Sequence, residues 1–111
     1  IMGSKILILG VTFKENCPDI RNSKVADVYN ELKEFGLEVD AYDYEADPAE
    51  VKEEYGIDLI DQIKAKYDGI LLAVSHNKFS MIDIESLKKD SNSVVYDLKG
   101  FLPRNLVNSR L

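Results

Sequence analysis

The chain has 111 residues, of which 45% are hydrophobic and 31% are charged, so we expect a single packed, soluble domain. Its formal net charge of −6 argues against general binding to nucleic acid or to a membrane surface, because both need a basic face. The sequence has no apolar run of the roughly 20 residues that a membrane span needs, and no signal peptide is visible in it.

The first part of the chain predicts a buried strand and then a helix. Residues 5–10, KILILG, form a nearly continuous apolar run, typical of a strand that is buried on both faces. A helix is predicted from Ser23 to about Phe35, because apolar residues recur there on one helical face. Asn22 or Ser23 can cap the start of this helix, and Gly36 lies where a C-terminal cap belongs.

The next part predicts alternating strands and helices. EVDAY, residues 38–42, is a second strand, and Pro48 suits the first turn of a helix that runs to about Tyr55 and ends at Gly56. Further helices are predicted at 59–66 and 81–88, with strands at 69–74 and 93–96, and DLKG at 97–100 ends the last strand. The tail, 101–111, has no strong pattern and is expected to be a short helix or a loop.

This order predicts an α/β fold of Rossmann-like type. Parallel strands need crossover connections, which helices supply, so we expect an open, mostly parallel sheet flanked by helices in three layers. In such sheets ligands bind outside the carboxyl ends of the strands. Four loops lie there, TFKENCPDIR, DYEADP, SHNKF and DLKG, and three of them contain a lysine. The clustering suggests an anionic ligand, although exposed loops also collect lysines without any ligand.

The first loop is not a known phosphate-binding loop. After Gly10 the sequence continues VTFKEN, which lacks the glycines of a dinucleotide fingerprint or a P-loop. It offers side chains instead. Lys14 is a point charge suited to phosphate, and Arg21 carries a planar fork for phosphate or carboxylate. Asp19 can orient either Arg21 or Lys14. Phe13 can pack against a base or sugar, or simply belong to the core.

The only cysteine, Cys17, excludes a disulfide within the chain and is consistent with a reducing cytoplasm, where we place the protein. Neighbouring cations would favour its thiolate, but a bystander thiol is the simpler interpretation. The only histidine, His76, is far along the chain. One cysteine and one histidine give no metal-ligand spacing, so no metal site is predicted.

The residues GVTFKENCPDIRNS resemble the sequence that opens the C-terminal domain of the UDP-glucose/GDP-mannose dehydrogenase family, roughly G-x-x-F-K-x-x-x-x-D-x-R-x-S. The matching residues are Gly10, Phe13, Lys14, Asp19, Arg21 and Ser23. VDAYDYEAD is similar to a family strand followed by D-P-x-A-D, with Tyr44 in place of proline. AVSHNKF, YDLKG and LPRNLVNSRL resemble the UDP-N-acetylhexosamine dehydrogenase branch, and the resemblance covers nearly the whole chain.

The resemblance implies an enzyme that oxidises the C6 hydroxyl of a UDP-sugar, here a UDP-N-acetylhexosamine, to a uronic acid for surface polysaccharide in two NAD-dependent steps. By this resemblance Phe13, Lys14 and Lys99 contact the UDP-sugar, and Arg21 approaches the NAD cofactor at a domain interface. His76 is a further candidate for the nucleotide end, or else a structural histidine with satisfied hydrogen bonds.

The resemblance also implies partners within a longer protein. An N-terminal domain that binds NAD and a central region that supplies the catalytic cysteine and lysine and the dimer contact would precede this domain. Ile1 comes before Met2, and we accordingly expect residues 1–111 to be one UDP-binding domain cut from a longer, homo-oligomeric dehydrogenase. Cys17 falls in a variable part of the family pattern, so no catalytic residue is assigned here.

Two alternatives stay open at this point. One is a structural or interaction domain of the same fold that binds no ligand. The other is a separate small α/β module of the flavodoxin or receiver type. A receiver needs an acidic cluster after the first strand and an aspartate that can be phosphorylated after a middle strand, and VTFKEN and AVSHNKF supply neither.

Overall fold

The computed structural model describes residues 3–12, 16, 18–21, 24–97 and 109–110. Its five strands are β1 (Lys5–Leu9), β2 (Glu38–Tyr42), β3 (Gly69–Leu72), β4 (Val94–Asp97) and β5 (Ser109–Arg110). Its α-helices are α1 (Val25–Glu34), α2 (Pro48–Tyr55) and α3 (Ile84–Leu87), and a 3₁₀ helix spans Asn77–Met81. No helix in these described ranges is long and apolar enough to cross a membrane.

The five strands form one parallel sheet in the order β2-β1-β3-β4-β5. The chain starts in the middle, moves to β2 at one edge, and then returns past β1 to β3. The strand order therefore reverses between β1 and β3, and a crevice at the carboxyl ends of these two strands is the expected ligand position. The predicted α/β, mostly parallel fold is confirmed.

Apolar clusters pack on both faces of the sheet, as the predicted three layers require. On β1, Ile8 belongs to the apolar cluster beneath α1 and α2, whereas Leu7 and Leu9 belong to the cluster on the other face. All three side chains are fully buried, because alternate residues of a strand point to opposite faces. This burial explains why the first strand reads as a continuous apolar run rather than as an alternation.

The ends of the first two helices follow their local sequence signals. Gly36 has a φ of +87°, its N–H bonds the carbonyl of Lys33, and the N–H of Leu37 bonds the carbonyl of Leu32. These two bonds form a Schellman motif with glycine at the left-handed position. Helix α2 begins with Pro48 after Asp47, whose carboxylate accepts the N–H of Ala49 at 2.9 Å. It ends at Gly56, as predicted.

Two helix predictions need correction. Residues 59–66 form no helix, because Leu59 pairs with Ala41 beside β2 and the N–H of Ile60 bonds the carbonyl of Ala41 at 2.9 Å. Ile60, Ile63 and Ala65 of this segment pack on the sheet face opposite α1 and α2, whereas Leu59 packs on the same face as these helices. The predicted short helix at 81–88 exists but is shorter: α3 spans Ile84–Leu87, and Asp83 caps it by accepting the N–H of Ser86 at 3.3 Å. A 3₁₀ helix that the sequence did not predict precedes it and ends at Met81.

Other boundaries shift by a few residues. The predicted caps Asn22 and Ser23 lie outside the described residues, and α1 begins at Val25. In the tail, Ser109 and Arg110 pair with Tyr96 and Asp97 as a fifth strand, which the sequence did not predict.

An apolar groove of about 550 Å³ lies over β3 and β4 on the sheet face where α1 packs. Ile6, Val94 and Tyr96 line it from the strands, and α1 borders it through Val28 and Leu32. The side chain of Val94 is 49% exposed. The sheet therefore presents apolar surface at this position.

Candidate functional site

The carboxyl edge of the sheet brings three of the four predicted loops together. The β1 strand leads into Gly10, whose φ is +98°. A Cβ atom at this position would lie 2.6 Å from the Cβ of Val74 and 2.9 Å from the backbone nitrogen of Val74. Only glycine allows the chain to leave β1 in this conformation and so close to the end of β3. The loops after β1 and β3 are therefore in direct contact at the point where the strand order reverses.

Asp43, directly after β2, is the centre of a buried hydrogen-bond network. Its Oδ2 accepts the N–H of Val11 at 2.7 Å and lies 3.0 Å from the Nε2 of His76. Its Oδ1 accepts the N–H groups of Glu45 at 2.6 Å and Ala46 at 2.9 Å. The carboxylate is fully buried. It ties the loop after β1 and the loop after β3 to the end of β2.

The ionisation of Asp43 follows from these contacts. Burial raises the pKa of the carboxyl group. The hydrogen bonds from His76 and from the backbone N–H groups of Val11, Ala46 and Glu45 act in the opposite direction. Together they hold the pKa below its usual value, because they stabilise the charged form. Asp43 is therefore a carboxylate at neutral pH.

His76 is fully buried, and both of its ring nitrogens are engaged. Its Nδ1 lies 2.8 Å from the backbone nitrogen of Asn16. A backbone N–H only donates, so Nδ1 is the acceptor and the ring proton is on Nε2. That Nε2–H points to Asp43, and the hydroxyl oxygen of Thr12 lies 3.1 Å from the same nitrogen. The carboxylate therefore fixes both the tautomer and the orientation of the imidazole.

This network is not a catalytic triad. In a triad the nucleophile and the carboxylate bind opposite nitrogens of the imidazole. Here Thr12 and Asp43 both contact Nε2, while Nδ1 faces a backbone amide. Thr12 is also only 2% exposed. The arrangement holds loops together and does not activate a nucleophile.

Arg21 lies at the surface in a fixed orientation. Its Nη2 is 2.8 Å from Oδ2 of Asp19, its Nε is 3.0 Å from Oδ1, and its backbone N–H also bonds Oδ1. The Arg21 side chain is 85% exposed. The sequence predicted that Asp19 can orient Arg21, and the structure confirms this contact.

An aromatic group borders the same edge. The Tyr44 ring lies 5.0 Å from that of Tyr42 and 5.4 Å from that of Phe79, and Phe79 lies 5.3 Å from His76. Tyr44 is 38% exposed, and the Nζ of Lys78 is 5.9 Å from its ring centre. Tyr44 is the residue that replaces proline in the expected family pattern, and here it packs against the loop after β3.

Three of the five predicted ligand residues, Phe13, Lys14 and Lys99, lie outside the described residues, as does Cys17. Their described neighbours locate the chain around them. Thr12 and Asn16 belong to the loop after β1, and Asp97 ends β4, which pairs with β3. Within the described ranges, no cluster of histidine, cysteine, aspartate or glutamate is arranged to hold a metal ion.

Residues 7–104 match the model of the UDP-glucose/GDP-mannose dehydrogenase family, UDP binding domain. The chain belongs to this family. It is 45% identical to the UDP-N-acetyl-D-glucosamine 6-dehydrogenase of Salmonella typhi, an alignment that covers 100% of the chain and 27% of the relative. It is 43% identical to protein CapL of Staphylococcus aureus, over 97% of the chain and 26% of the relative. The chain thus spans about a quarter of the length of these family members.

Solved structures of family members have the same fold. A UDP-glucose dehydrogenase from Pyrobaculum islandicum superposes with a TM-score of 0.77 at 20% identity, over 99% of this chain and 25% of that one. The UDP-N-acetyl-mannosamine dehydrogenase Cap5O from S. aureus gives 0.72 at 22% identity, over 99% of this chain and 26% of that one. At these identities the likeness establishes the fold of the UDP-binding domain.

Sequence reasoning did not find the role of Asn16. Its φ is +58°, its N–H bonds His76, and its Oδ1 accepts the N–H of Asn77 at 2.8 Å. The residue type was the one signal in the sequence for this conformation, because asparagine tolerates the left-handed conformation better than most residues. Asp43 lies in the segment VDAYDYEAD, which resembles the family pattern, but no role was predicted for it. Its position as the centre of the network depends on contacts with residues far along the chain.

Proposed function

We propose that this chain is the UDP-sugar-binding domain of an NAD-dependent UDP-sugar 6-dehydrogenase. The observation that carries the proposal is the match of residues 7–104 to the UDP binding domain of the family. The relatives from S. typhi and Pseudomonas aeruginosa are named UDP-N-acetyl-D-glucosamine 6-dehydrogenases. The substrate is accordingly a UDP-N-acetylhexosamine, and the reaction oxidises its C6 hydroxyl to a uronic acid for a surface polysaccharide.

In this proposal Lys14 and Lys99 bind the diphosphate of the substrate and Phe13 packs against the nucleotide. The described residues next to them support this placement. Thr12, Asn16 and Asp97 all lie at the carboxyl edge of the sheet, where open parallel sheets bind ligands. A UDP diphosphate is anionic, and a charge-assisted hydrogen bond to it contributes about 1.5–3 kcal/mol.

NAD is the proposed cofactor, bound mainly by a region outside this chain, because the loop after β1 lacks the glycine fingerprint. We assign Arg21 to the cofactor side of a domain interface. The geometry of Arg21 supports this assignment: its side chain is 85% exposed, and Asp19 holds the guanidinium in one orientation. A fork held in this way loses little freedom when it binds a phosphate or carboxylate.

The chain contributes no catalytic residue in this proposal, so we expect it to have no dehydrogenase activity alone. Its partners are the N-terminal and central regions of the same cytoplasmic enzyme, which forms a homo-oligomer. A structural domain without ligand binding is the alternative.

Titration calorimetry with UDP tests the proposal and separates it from this alternative. Wild-type chain should bind UDP, and Lys14→Ala should weaken binding roughly 10- to 150-fold, the equivalent of one charge-assisted hydrogen bond. Lys99→Ala should act in the same direction. Lys33→Ala is the matched control, because it removes the same charge from the exposed last turn of α1, before β2 begins. Absence of UDP binding in both this chain and the complete enzyme would favour the structural alternative.

A further inference from the structure

The loops after β1 and β3 are tied together by two hydrogen bonds that share one residue. The N–H of Asn16 bonds the Nδ1 of His76 at 2.8 Å, and the Oδ1 of Asn16 accepts the N–H of Asn77 at 2.8 Å. The side chain of His76 also lies 3.1 Å from the hydroxyl of Thr12. One imidazole thus contacts residues 12 and 16, and only three residues lie between these two points.

The imidazole is itself held from the opposite side. Asp43 accepts the Nε2–H of His76, and the two oxygens of Asp43 are oriented by three backbone N–H groups from Val11, Glu45 and Ala46. His76 and the Asp43 carboxylate are fully buried. Contacts therefore run from the end of β2, through the carboxylate and the imidazole, to the backbone of Asn16.

We propose that His76 is a positioning residue for nucleotide binding, which acts through Asn16 and does not touch the ligand. By holding Thr12 and Asn16 it restrains the two ends of the segment that contains Phe13 and Lys14, the residues proposed to contact the nucleotide. The inference rests on the proposed function and changes the predicted role of His76. The apparent affinity of a protein falls in proportion to the population of its binding-competent state, so a loosened loop binds UDP less tightly.

Two substitutions of His76 distinguish the contact made by Nδ1 from the contact made by Nε2. In His76→Asn, the amide oxygen takes the place of Nδ1 and still accepts the N–H of Asn16. In His76→Gln, the amide nitrogen takes the place of Nε2 and still donates to Asp43, but the acceptor for Asn16 is lost. Ile70→Val is the control for lost stability, because Ile70 is 2% exposed near the start of β3 and this change commonly destabilises a protein without removing a polar contact.

UDP affinity is measured by titration calorimetry, and hydrogen exchange of the Asn16 amide is followed by NMR. We expect the UDP affinity of His76→Asn to lie within about threefold of wild type. His76→Gln should bind UDP roughly tenfold more weakly, which corresponds to a binding-competent loop in about a tenth of the molecules. The Asn16 amide should lose protection only in His76→Gln. Ile70→Val should leave both measurements unchanged.

Other outcomes overturn the inference in distinct ways. Unchanged affinity in both His76 variants would show that the loop needs no such anchor. A loss confined to His76→Asn would point to the contact with Asp43 rather than with Asn16. Equal loss in both variants, with Ile70→Val unaffected, would point to direct contact of the imidazole with the ligand. If wild-type chain and complete enzyme both fail to bind UDP, the proposed function fails and the inference fails with it.

Discussion

Replacing Asp43 by asparagine tests whether the buried network holds the loops. The carboxylate accepts four hydrogen bonds, two at each oxygen: Val11 and His76 at Oδ2, and Glu45 and Ala46 at Oδ1. An amide has only one oxygen. In either orientation its NH₂ group faces two N–H donors, so two hydrogen bonds are lost and donors face one another in a buried site.

The size of the effect follows from this count. Each buried donor that loses its acceptor costs about 1–3 kcal/mol, so Asp43→Asn should lower the free energy of unfolding by about 2–6 kcal/mol. The total free energy of unfolding of a small domain is about 5–15 kcal/mol. The variant should therefore retain the fold only marginally, with a clearly lower urea midpoint and an unchanged slope if unfolding stays two-state.

Urea unfolding followed by circular dichroism measures this difference at pH 7. Asp47→Asn is the matched control, because Asp47 accepts one N–H bond as the cap of α2 and asparagine caps helices about as well as aspartate. Its stability should change by less than about 0.5 kcal/mol. If Asp43→Asn were as stable as Asp47→Asn, the network would not be holding the domain together.

Two further predictions concern the same edge of the sheet. Folding lowers the pKa of Asp43. The ionised carboxylate therefore stabilises the fold fully above about pH 4, the ordinary pKa range of an aspartate. This stabilisation is lost as the pH falls through the lowered pKa. The stability difference between wild type and Asp43→Asn, measured by urea unfolding, should therefore shrink as the pH falls below about 4; a constant difference would contradict the assignment. Gly10→Ala should destabilise by about 1–2 kcal/mol through its positive φ and by about 1–3 kcal/mol more through overlap with Val74. Gly56→Ala, with a φ of +71° but nothing within 4 Å of the added Cβ, should show only the first part in thermal unfolding, so equal losses would refute the packing argument.

The parts of the fold that the sequence predicted are those with local signals. Gly36 and Gly56 end helices because each adopts a left-handed conformation that glycine reaches without strain. Helix α2 starts at two adjacent residues, because Asp47 caps its first turn and Pro48 suits the first helical position. The apolar run of β1 predicts burial on both faces because alternate residues enter different clusters.

The segment 59–66 was mispredicted because a tertiary contact overrides a local pattern. Its apolar residues Leu59, Ile60 and Ile63 have spacings that suit a helix. The carbonyl of Ala41, near the end of β2, instead accepts the N–H of Ile60, and Leu59 pairs with Ala41 beside the sheet. Nothing within the eight residues signals that partner, which lies in another part of the chain.

The candidate site was predictable only as far as its position. Strand order and the family resemblance indicated the carboxyl edge and the loop after β1. The bond between Asn16 and His76 joins residues 60 positions apart, and the contact of His76 with Asp43 joins residues 33 positions apart. Pairs so distant in sequence have no periodic signature, and without their geometry His76 could be interpreted either as a ligand contact or as a structural residue.

The network also bears on the proposal that side chains of this domain bind an anionic ligand. In dinucleotide-binding loops, glycines let free backbone N–H groups close on the pyrophosphate. Here the N–H of Val11 is bonded to Asp43 and the N–H of Asn16 to His76. These two amides are committed to holding the loop, so neither is available to a phosphate unless the network opens. This agrees with the proposal that the lysine side chains of Lys14 and Lys99 supply the charge for the diphosphate.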